Sequence, residues 1–127
     1  TRFCVLRAAF TAFRMAASTA AGVMVGRGAF GNPWLFRDAR ALLEGRPKPA
    51  APGAAERFEL ALTHARLAQR LQGDSRHTVI EFRKHFGWYT KGLHGASELR
   101  QRLFQVESFA EAEEIFVRYL APLAQVA

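Results

Sequence analysis

The chain has little cysteine, few acidic residues and no long hydrophobic run. Its single cysteine, Cys4, excludes an internal disulfide framework and a zinc site built on cysteines. No apolar run approaches the about 20 residues that a membrane span requires, and no signal-peptide pattern is present, so we expect a cytoplasmic protein without membrane contact. The 127 residues are also fewer than the about 250 of a (β/α)8 barrel, so the chain can hold only part of such a fold.

The charge of the chain is strongly basic. Lys and Arg total 18 against 11 Asp and Glu, a net charge of +7, and the excess lies before residue 107 because the segment 107–127 is acidic. This balance favours an anionic partner, nucleic acid first and acidic lipid second. The dominance of Arg over Lys fits phosphate recognition and fits a GC-rich genome equally well. Half of the residues are hydrophobic and 11 are Phe, which predicts a packed core.

The first part of the chain predicts a strand, a loop and a helix. The apolar run 22–26 between glycines is typical of a strand buried in a parallel sheet. After the glycine loop 26–28, Asn32 is expected to cap a helix over 33–44 that has Pro33 at its first position and stops at the next glycine. A strand that ends in a glycine loop before a helix can bind phosphate through backbone N–H groups, and an ordinary structural turn is the alternative.

The second part predicts a helical bundle. A Pro-rich linker over 46–53 is the expected domain boundary. Helices are predicted over 54–72, 76–91 and 97–105. A fourth begins at Ser108, whose capping box ends in Glu111. Short loops between them favour antiparallel packing, so the predicted fold class is mainly α, a C-terminal helical bundle after a remnant βα unit.

The helix over 76–91 carries two different faces. Its predicted core stripe is Val79, Phe82, Phe86, Tyr89 and Leu93. The basic side holds Arg76, Arg83, Lys84 and Lys91. Trp88 lies beside the bases, as on a surface that holds a phosphate backbone and stacks a base. The alternative is a solvated face on which Trp88 covers a seam between helices and contacts Lys84. Gly87 on this side would suit close approach of a backbone or a phosphate.

The histidines and the cysteine predict no metal or catalytic site. His64, His77, His85 and His94 form neither an HxxxH pair nor an HExxH motif, so no metal is expected. His64 falls in an apolar stripe and is interpreted as a core or boundary residue. Cys4, between Phe3 and Val5, is interpreted as a structural thiol.

Two motifs in this order resemble the C-terminal third of bacterial tRNA-dihydrouridine synthases. They are GVMVGRGAFGNPWLF over 22–36 and, after the Pro-rich linker, FRKHFGWYTKGL over 82–93. The resemblance implies a flavoprotein with an FMN-binding (β/α)8 barrel, or TIM barrel, followed by a small helical domain that holds tRNA. It implies an oxidoreductase of tRNA processing that reduces uridine to 5,6-dihydrouridine, with NADPH as the reductant.

The resemblance also assigns parts of the chain. Residues 1–45 would be the remnant of the FMN-binding barrel, with its last strand over 22–26, and residues 54–121 would be the tRNA-binding domain. Gly26 and Arg27 match the glycine–arginine pair at the FMN phosphate. The expected RNA-binding residues are Arg76, Arg83, Lys84, Trp88 and Lys91.

The chain departs from the family pattern before this strand. The family's catalytic cysteine lies on a loop farther upstream and Cys4 lacks its motif, so no catalytic residue is assigned. Residues 1–21 show only a blurred version of the family sequence, as a truncated or frame-shifted coding sequence would give. We therefore expect the chain alone to be inactive and to hold FMN poorly, and the full-length protein to be a monomer. The alternatives are a non-catalytic RNA-binding helical module and a helical interaction domain whose charge only aids solubility.

Overall fold

The computed structural model describes residues 24–125. Over this range the chain forms a 3-10 turn at Arg27–Ala29 and five α-helices. The helices are α1 (Trp34–Leu43), α2 (Ala54–Gln72), α3 (Arg76–Tyr89), α4 (Ala96–Leu103) and α5 (Phe109–Ala124). The predicted mainly helical class is confirmed for the described range. The remnant βα unit is not shown, since residues 24–26 have no regular structure and the rest of the predicted strand, like Cys4, lies outside the described range.

The chain divides into two compact units. The first comprises, among the described residues, 24–29 and 33–50, and the second comprises 30–32 and 51–125. The short segment Phe30–Asn32 thus groups with the helical unit, although it directly follows the 3-10 turn in sequence. The boundaries predicted above, with a linker over 46–53, stay a prediction.

Helix α1 begins one residue later than the sequence predicts. Pro33 is its N-cap and Trp34 its first residue, so the expected cap at Asn32 is wrong. The reason lies in Pro33 itself, whose φ of −68° is already helical and whose carbonyl accepts the first bond, from Phe36 N at 3.1 Å. A proline fixed at this angle can enter the helix without a side-chain cap before it.

The end of α1 is closed by Gly45, as predicted. Gly45 has a φ of +69°, and its N–H donates to Leu42 O at 3.0 Å. The next N–H, that of Arg46, reaches back to Ala41 O at 2.7 Å. This pair of bonds is the Schellman motif, which favours glycine because an L side chain is strained at positive φ.

The start of the Pro-rich segment is tied to α1. Lys48 Nζ lies 3.3 Å from Oδ2 of the buried Asp38. Arg37 donates from Nη2 to Ala50 O at 2.9 Å and also pairs with the Asp38 carboxylate. Residues 48–50 are therefore held to α1 by charged contacts.

The helical unit is built around aromatic contacts between α2, α3 and α5. Phe58 of α2 stacks on Phe116 of α5 with ring centroids 4.2 Å apart, and Phe86 of α3 meets Phe116 edge-on at 5.6 Å. Helix α4 packs against both α3 and α5 and adds the buried Leu99 and Leu103. Burial of these rings stabilises the unit by about 25 cal/mol per Å² of apolar surface.

Helix α3 places its apolar stripe in this core, as predicted. Val79, Phe82, Phe86 and Tyr89 are all buried, whereas Leu93, the fifth residue of the predicted stripe, lies beyond the helix end and is half-buried. The helix ends at Tyr89, two residues before the predicted end, and the chain leaves the helical conformation at Gly92, which has a φ of +82°. At its start, Ser75 Oγ accepts the N–H of Thr78 at 3.2 Å.

The predicted capping box of α5 is present with one change of partner. Ser108 Oγ accepts the N–H of Glu111 at 3.2 Å, as expected. The Glu111 carboxylate accepts the N–H of Glu107 at 2.9 Å, instead of that of Ser108. Both bonds satisfy N–H groups that would otherwise lack a partner at the helix start.

Candidate functional site

The phosphate loop expected at Gly26 and Arg27 is an exposed turn. Arg27 begins the 3-10 turn, whose closing bond runs from Ala29 N to Gly26 O at 3.1 Å. A Cβ placed on Gly26 would meet no atom within 4 Å, so local packing among the described residues does not explain the glycine. An open glycine beside an exposed guanidinium can admit an anion.

Among the predicted RNA-binding residues, Arg76 is paired with an acid. Its Nε lies 3.0 Å from Glu107 Oε1, and Nη2 contacts the same oxygen. The hydrogen bond to Glu107 raises the pKa of Arg76, and the same contact lowers the pKa of Glu107. The two charges offset each other, so Arg76 adds little net positive charge to the surface.

Arg83 is turned toward the protein backbone. Its Nε and Nη2 both donate to Val106 O, at 2.9 and 2.6 Å. Val106 is buried in the loop between α4 and α5, so the guanidinium fixes that loop against α3. This role follows from a contact across 23 positions and could not be seen in the helical spacing.

Lys84 and Lys91 are the two predicted bases that stay available. Both are exposed, and neither has an acidic partner within residues 24–125. Lys84 stands on α3, and Lys91 follows two residues after the end of that helix at Tyr89. The backbone at Lys91 is anchored, because Arg57 Nη2 donates to its carbonyl at 2.9 Å. The two lysines therefore provide uncompensated positive charge at and just beyond the end of α3.

Trp88 is covered on one side by another aromatic ring. Its ring stacks on Phe30 with centroids 4.5 Å apart and 23° between the planes. His85 meets it edge-on at 5.0 Å. Of the two alternatives raised by the sequence, this geometry favours the covering role, with Phe30 and His85 as partners in place of Lys84.

Gly31 makes this stacking possible, and sequence reasoning did not single it out. It has a φ of +66°, and a Cβ built on it would lie 2.7 Å from Trp88 Cβ and would overlap the Trp88 carbonyl. Only glycine permits both the backbone angle and the approach. The sequence signal available was a glycine between Phe30 and Asn32 that no helix or strand required.

The histidines near this surface are held in their neutral form. Burial lowers the pKa of His85 to about 4, with smaller contributions from His64 and Lys84. Burial also lowers the pKa of His64, which lies 3.4 Å from the Tyr89 hydroxyl and packs edge-on against Phe82. They add no positive charge at neutral pH, and the boundary position predicted for His64 agrees with its partial burial.

A side chain packs against Gly87, where close approach of a backbone or a phosphate was expected. A Cβ placed on it would lie 2.8 Å from Cε1 and Cζ of Phe104, the C-cap residue of α4. The glycine thus provides the space for an aromatic ring from the neighbouring helix.

Residues 24–125 contain neither a candidate membrane span nor a candidate metal site. No helix in this stretch is long and apolar enough to cross a membrane. The same stretch brings together no group of three or more His, Cys, Asp and Glu side chains that could hold a metal ion.

Known proteins resemble most of this chain. The sequence profile of the family described as "Dihydrouridine synthase (Dus)" matches residues 7–124. A protein of Mycobacterium leprae named "Probable tRNA-dihydrouridine synthase" is 37% identical over 99 residues, which cover 78% of this chain and 26% of that protein. One of the same name from Rickettsia bellii is 39% identical over 83 residues, or 65% of this chain and 25% of that protein.

A third relative, "Probable tRNA-dihydrouridine synthase 1" of Synechocystis sp., is 33% identical over 94 residues, covering 74% of this chain and 26% of that protein. The chain thus spans about a quarter of the length of the curated relatives it matches. No solved structure matches it significantly. The profile match over most of the chain places it in a family: the chain belongs to the dihydrouridine synthases.

Proposed function

We propose that this chain supplies the tRNA-binding helical domain and part of the FMN phosphate site of a tRNA-dihydrouridine synthase. Family membership and the names of the relatives support the assignment. The complete enzyme would reduce uridine in tRNA to 5,6-dihydrouridine in the cytoplasm, and bound FMN would supply the hydride chemistry with NADPH as the electron source. We propose that the full-length protein acts as a monomer, with residues 54–121 as its RNA-binding domain.

The cofactor side of the proposal concerns Gly26 and Arg27. Arg27 is exposed, and the space above Gly26 is open among the described residues. The guanidinium would pair with the phosphate of FMN, and the glycine would let that group approach the backbone. The flavin ring would be held by other parts of the enzyme, so these two residues orient one end of the cofactor.

The RNA side rests chiefly on Lys84 and Lys91. Lys84 presents one positive charge on α3, and Lys91 presents another two residues beyond the end of that helix. A pair without acidic partners gains from each phosphate it contacts through release of condensed counterions. Arg76, which forms an ion pair with Glu107, would add a weaker contact to RNA. Arg83 and Trp88 would act by fixing the surface, through Val106 and Phe30.

A charge-reversal experiment tests the RNA side. Lys84→Glu and Lys91→Glu should each weaken binding of the chain to tRNA several-fold at fixed low salt, because each replaces an attraction to phosphate with a repulsion. Arg118→Glu is the matched control, since it makes the same charge change on α5, where Arg118 lies 3.4 Å from Glu114. Equal losses in all three variants would show only a response to net charge and would contradict the assignment.

The second candidate is a non-catalytic RNA-binding helical module. It is favoured by the exposed Lys84 and Lys91, which can contact RNA phosphates without a flavin. Both candidates predict tRNA binding, so the coding sequence upstream of this chain must distinguish between them. A coding stretch for a barrel directly upstream, in any reading frame, would support the enzyme. Its absence from the genome would support the module.

A further inference from the structure

The last turn of α4 and its C-cap residue lie on the same face of α3 as Lys84. A Cβ on Gly87 would meet the Phe104 ring at 2.8 Å and Cδ of Arg100 at 4.0 Å. Lys84 precedes Gly87 by three residues, so the two are neighbours on the helix surface. The ring of Phe104 and the stem of Arg100 therefore lie beside the position of Lys84 on α3.

Phe104 is an aromatic ring left at the surface. Although one end of the ring packs at Gly87, 46% of the residue is exposed. Water contact over a ring of this size is unfavourable, so its exposure beside Arg100 and Lys84 favours a flat apolar partner. Trp88 is the less suitable platform because Phe30 already stacks on it.

Arg100 adds a third uncompensated positive charge. No acidic residue within 24–125 pairs with it, and it is half-buried along its stem. It stands in the last turn of α4, where the helix dipole favours a cation. Arg102, two residues later, instead lines a groove between α4 and α5 together with Glu111 and Glu114. The two arginines thus contribute charge to different surfaces.

We propose that Phe104 stacks an RNA base and that Arg100 contacts an adjacent phosphate, so that the RNA crosses from α3 onto α4. This assignment rests on the proposed function, in which the chain binds tRNA through Lys84 and Lys91. Bases have apolar faces that stack on aromatic side chains whatever their identity, and flanking cations hold the backbone. A ring set beside Arg100 and Lys84 provides that combination.

The experiment measures tRNA affinity against salt for four variants of the chain. Arg100→Ala should lower the slope of log K against log salt by about one, while Arg102→Ala, with the same charge change, should leave it unchanged. Phe104→Leu should weaken binding by about fivefold or more with an unchanged slope, since a stacked base is lost without loss of charge. Phe104→Tyr keeps the ring and should bind as the wild type does.

Melting temperatures accompany each titration, so that affinities refer to folded protein. A wild-type salt slope for Arg100→Ala, or equal slopes for Arg100→Ala and Arg102→Ala, would overturn the phosphate assignment of Arg100. The proposed phosphate contacts of Lys84 and Lys91 would not be affected by that result. Equal affinity of Phe104→Leu and Phe104→Tyr would overturn the stacking assignment. If polyglutamate displaced tRNA from the chain as effectively as poly(U) does, the surface would be assigned to an acidic protein. That result would overturn both the phosphate and the stacking assignments. Failure of the wild type to bind tRNA would instead refute the proposed function.

Discussion

Trp88 stacks on Phe30 with ring centroids 4.5 Å apart, and this contact ties a short upstream segment to the helical unit. The segment Phe30–Asn32 begins directly after the turn at Arg27–Ala29, which holds the candidate phosphate contacts. Trp88 stands on α3, four residues after Lys84 of the candidate RNA surface. The helix proposed to contact RNA is therefore fixed to a segment adjacent in sequence to the proposed cofactor loop.

The Phe30–Trp88 contact should be measurable as a coupling free energy. In a double-mutant cycle, Phe30→Ala and Trp88→Ala should each destabilise the chain, and their coupling should be about 1 kcal/mol, as for stacked aromatic pairs. Urea denaturation of the four proteins provides the values. Additive effects would mean that the rings do not interact in solution.

Gly31→Ala should destabilise the chain by about 2–4 kcal/mol. A positive φ costs an L residue about 1–2 kcal/mol, and overlap with the Trp88 backbone adds to it until the segment detaches. Gly95→Ala is the matched control, because Gly95 has a similar φ of +63° but no neighbour within 4 Å. The two variants should differ clearly in melting temperature. A similar loss in both would refute close packing of Gly31 on Trp88.

Arg83 and Arg76 should respond differently to the same substitution. Arg83→Met should cost about 1–3 kcal/mol of folding free energy, because it removes charged donors from the Val106 carbonyl. Arg76→Met should change the melting temperature little, since its pair with Glu107 is exposed to solvent. Thermal denaturation at neutral pH compares them. A larger loss for Arg76→Met would contradict the contacts described for both residues.

Stability should fall as the pH decreases from about 6.5 toward 4. The folded state holds the pKa of His85 at about 4, below the ordinary value of 6.5, so the unfolded chain takes up a proton first. The contribution of neutral His85 to the stability of the folded chain is complete above pH 6.5 and is lost as the pH falls from 6.5 toward 4. The lowered pKa of His64 acts in the same direction.

His85→Gln should reduce this loss of stability between pH 6.5 and 5. The measurement is the melting temperature across that range, in which ordinary carboxylates remain largely ionised. His77→Gln is the control at an exposed histidine of the same helix and should keep the wild-type profile. Parallel profiles for wild type and His85→Gln would show that His85 is protonated as easily in the folded chain as in the unfolded one.

Helical periodicity predicted much of the fold. The bounds of α2 over 54–72 and the buried stripe of α3 follow from local spacing of apolar residues, and the cap at Ser108 follows from a local hydrogen-bond pattern. The start of α1 was missed by one residue, because the proline angle prevailed over the preference for Asn at a cap. Such features depend on a few neighbouring residues and can be read from the sequence.

The candidate site was less predictable because its contacts join distant residues. Helical spacing grouped Arg83 with Lys84. In the structure, the carbonyl of Val106, 23 positions away, accepts hydrogen bonds from the Arg83 guanidinium. Helical spacing also placed Trp88 beside the basic residues. In the structure, Phe30, 58 residues earlier in the sequence, stacks on its ring. Periodicity identifies which face of a helix a residue occupies, and it does not identify what another segment places there.

The salt dependence of tRNA binding tests the central claim, that Lys84 and Lys91 hold RNA phosphates. The measurement is the slope of log K against log salt for the wild type and for the Lys84→Ala, Lys91→Ala double variant, with Arg118→Ala as the control for net charge. Removal of two phosphate contacts should lower the slope by about 1.4–1.8, at 0.7–0.9 per contact, and the control should keep the wild-type slope. An unchanged slope in the double variant, with the wild type binding at low salt, would contradict the claim.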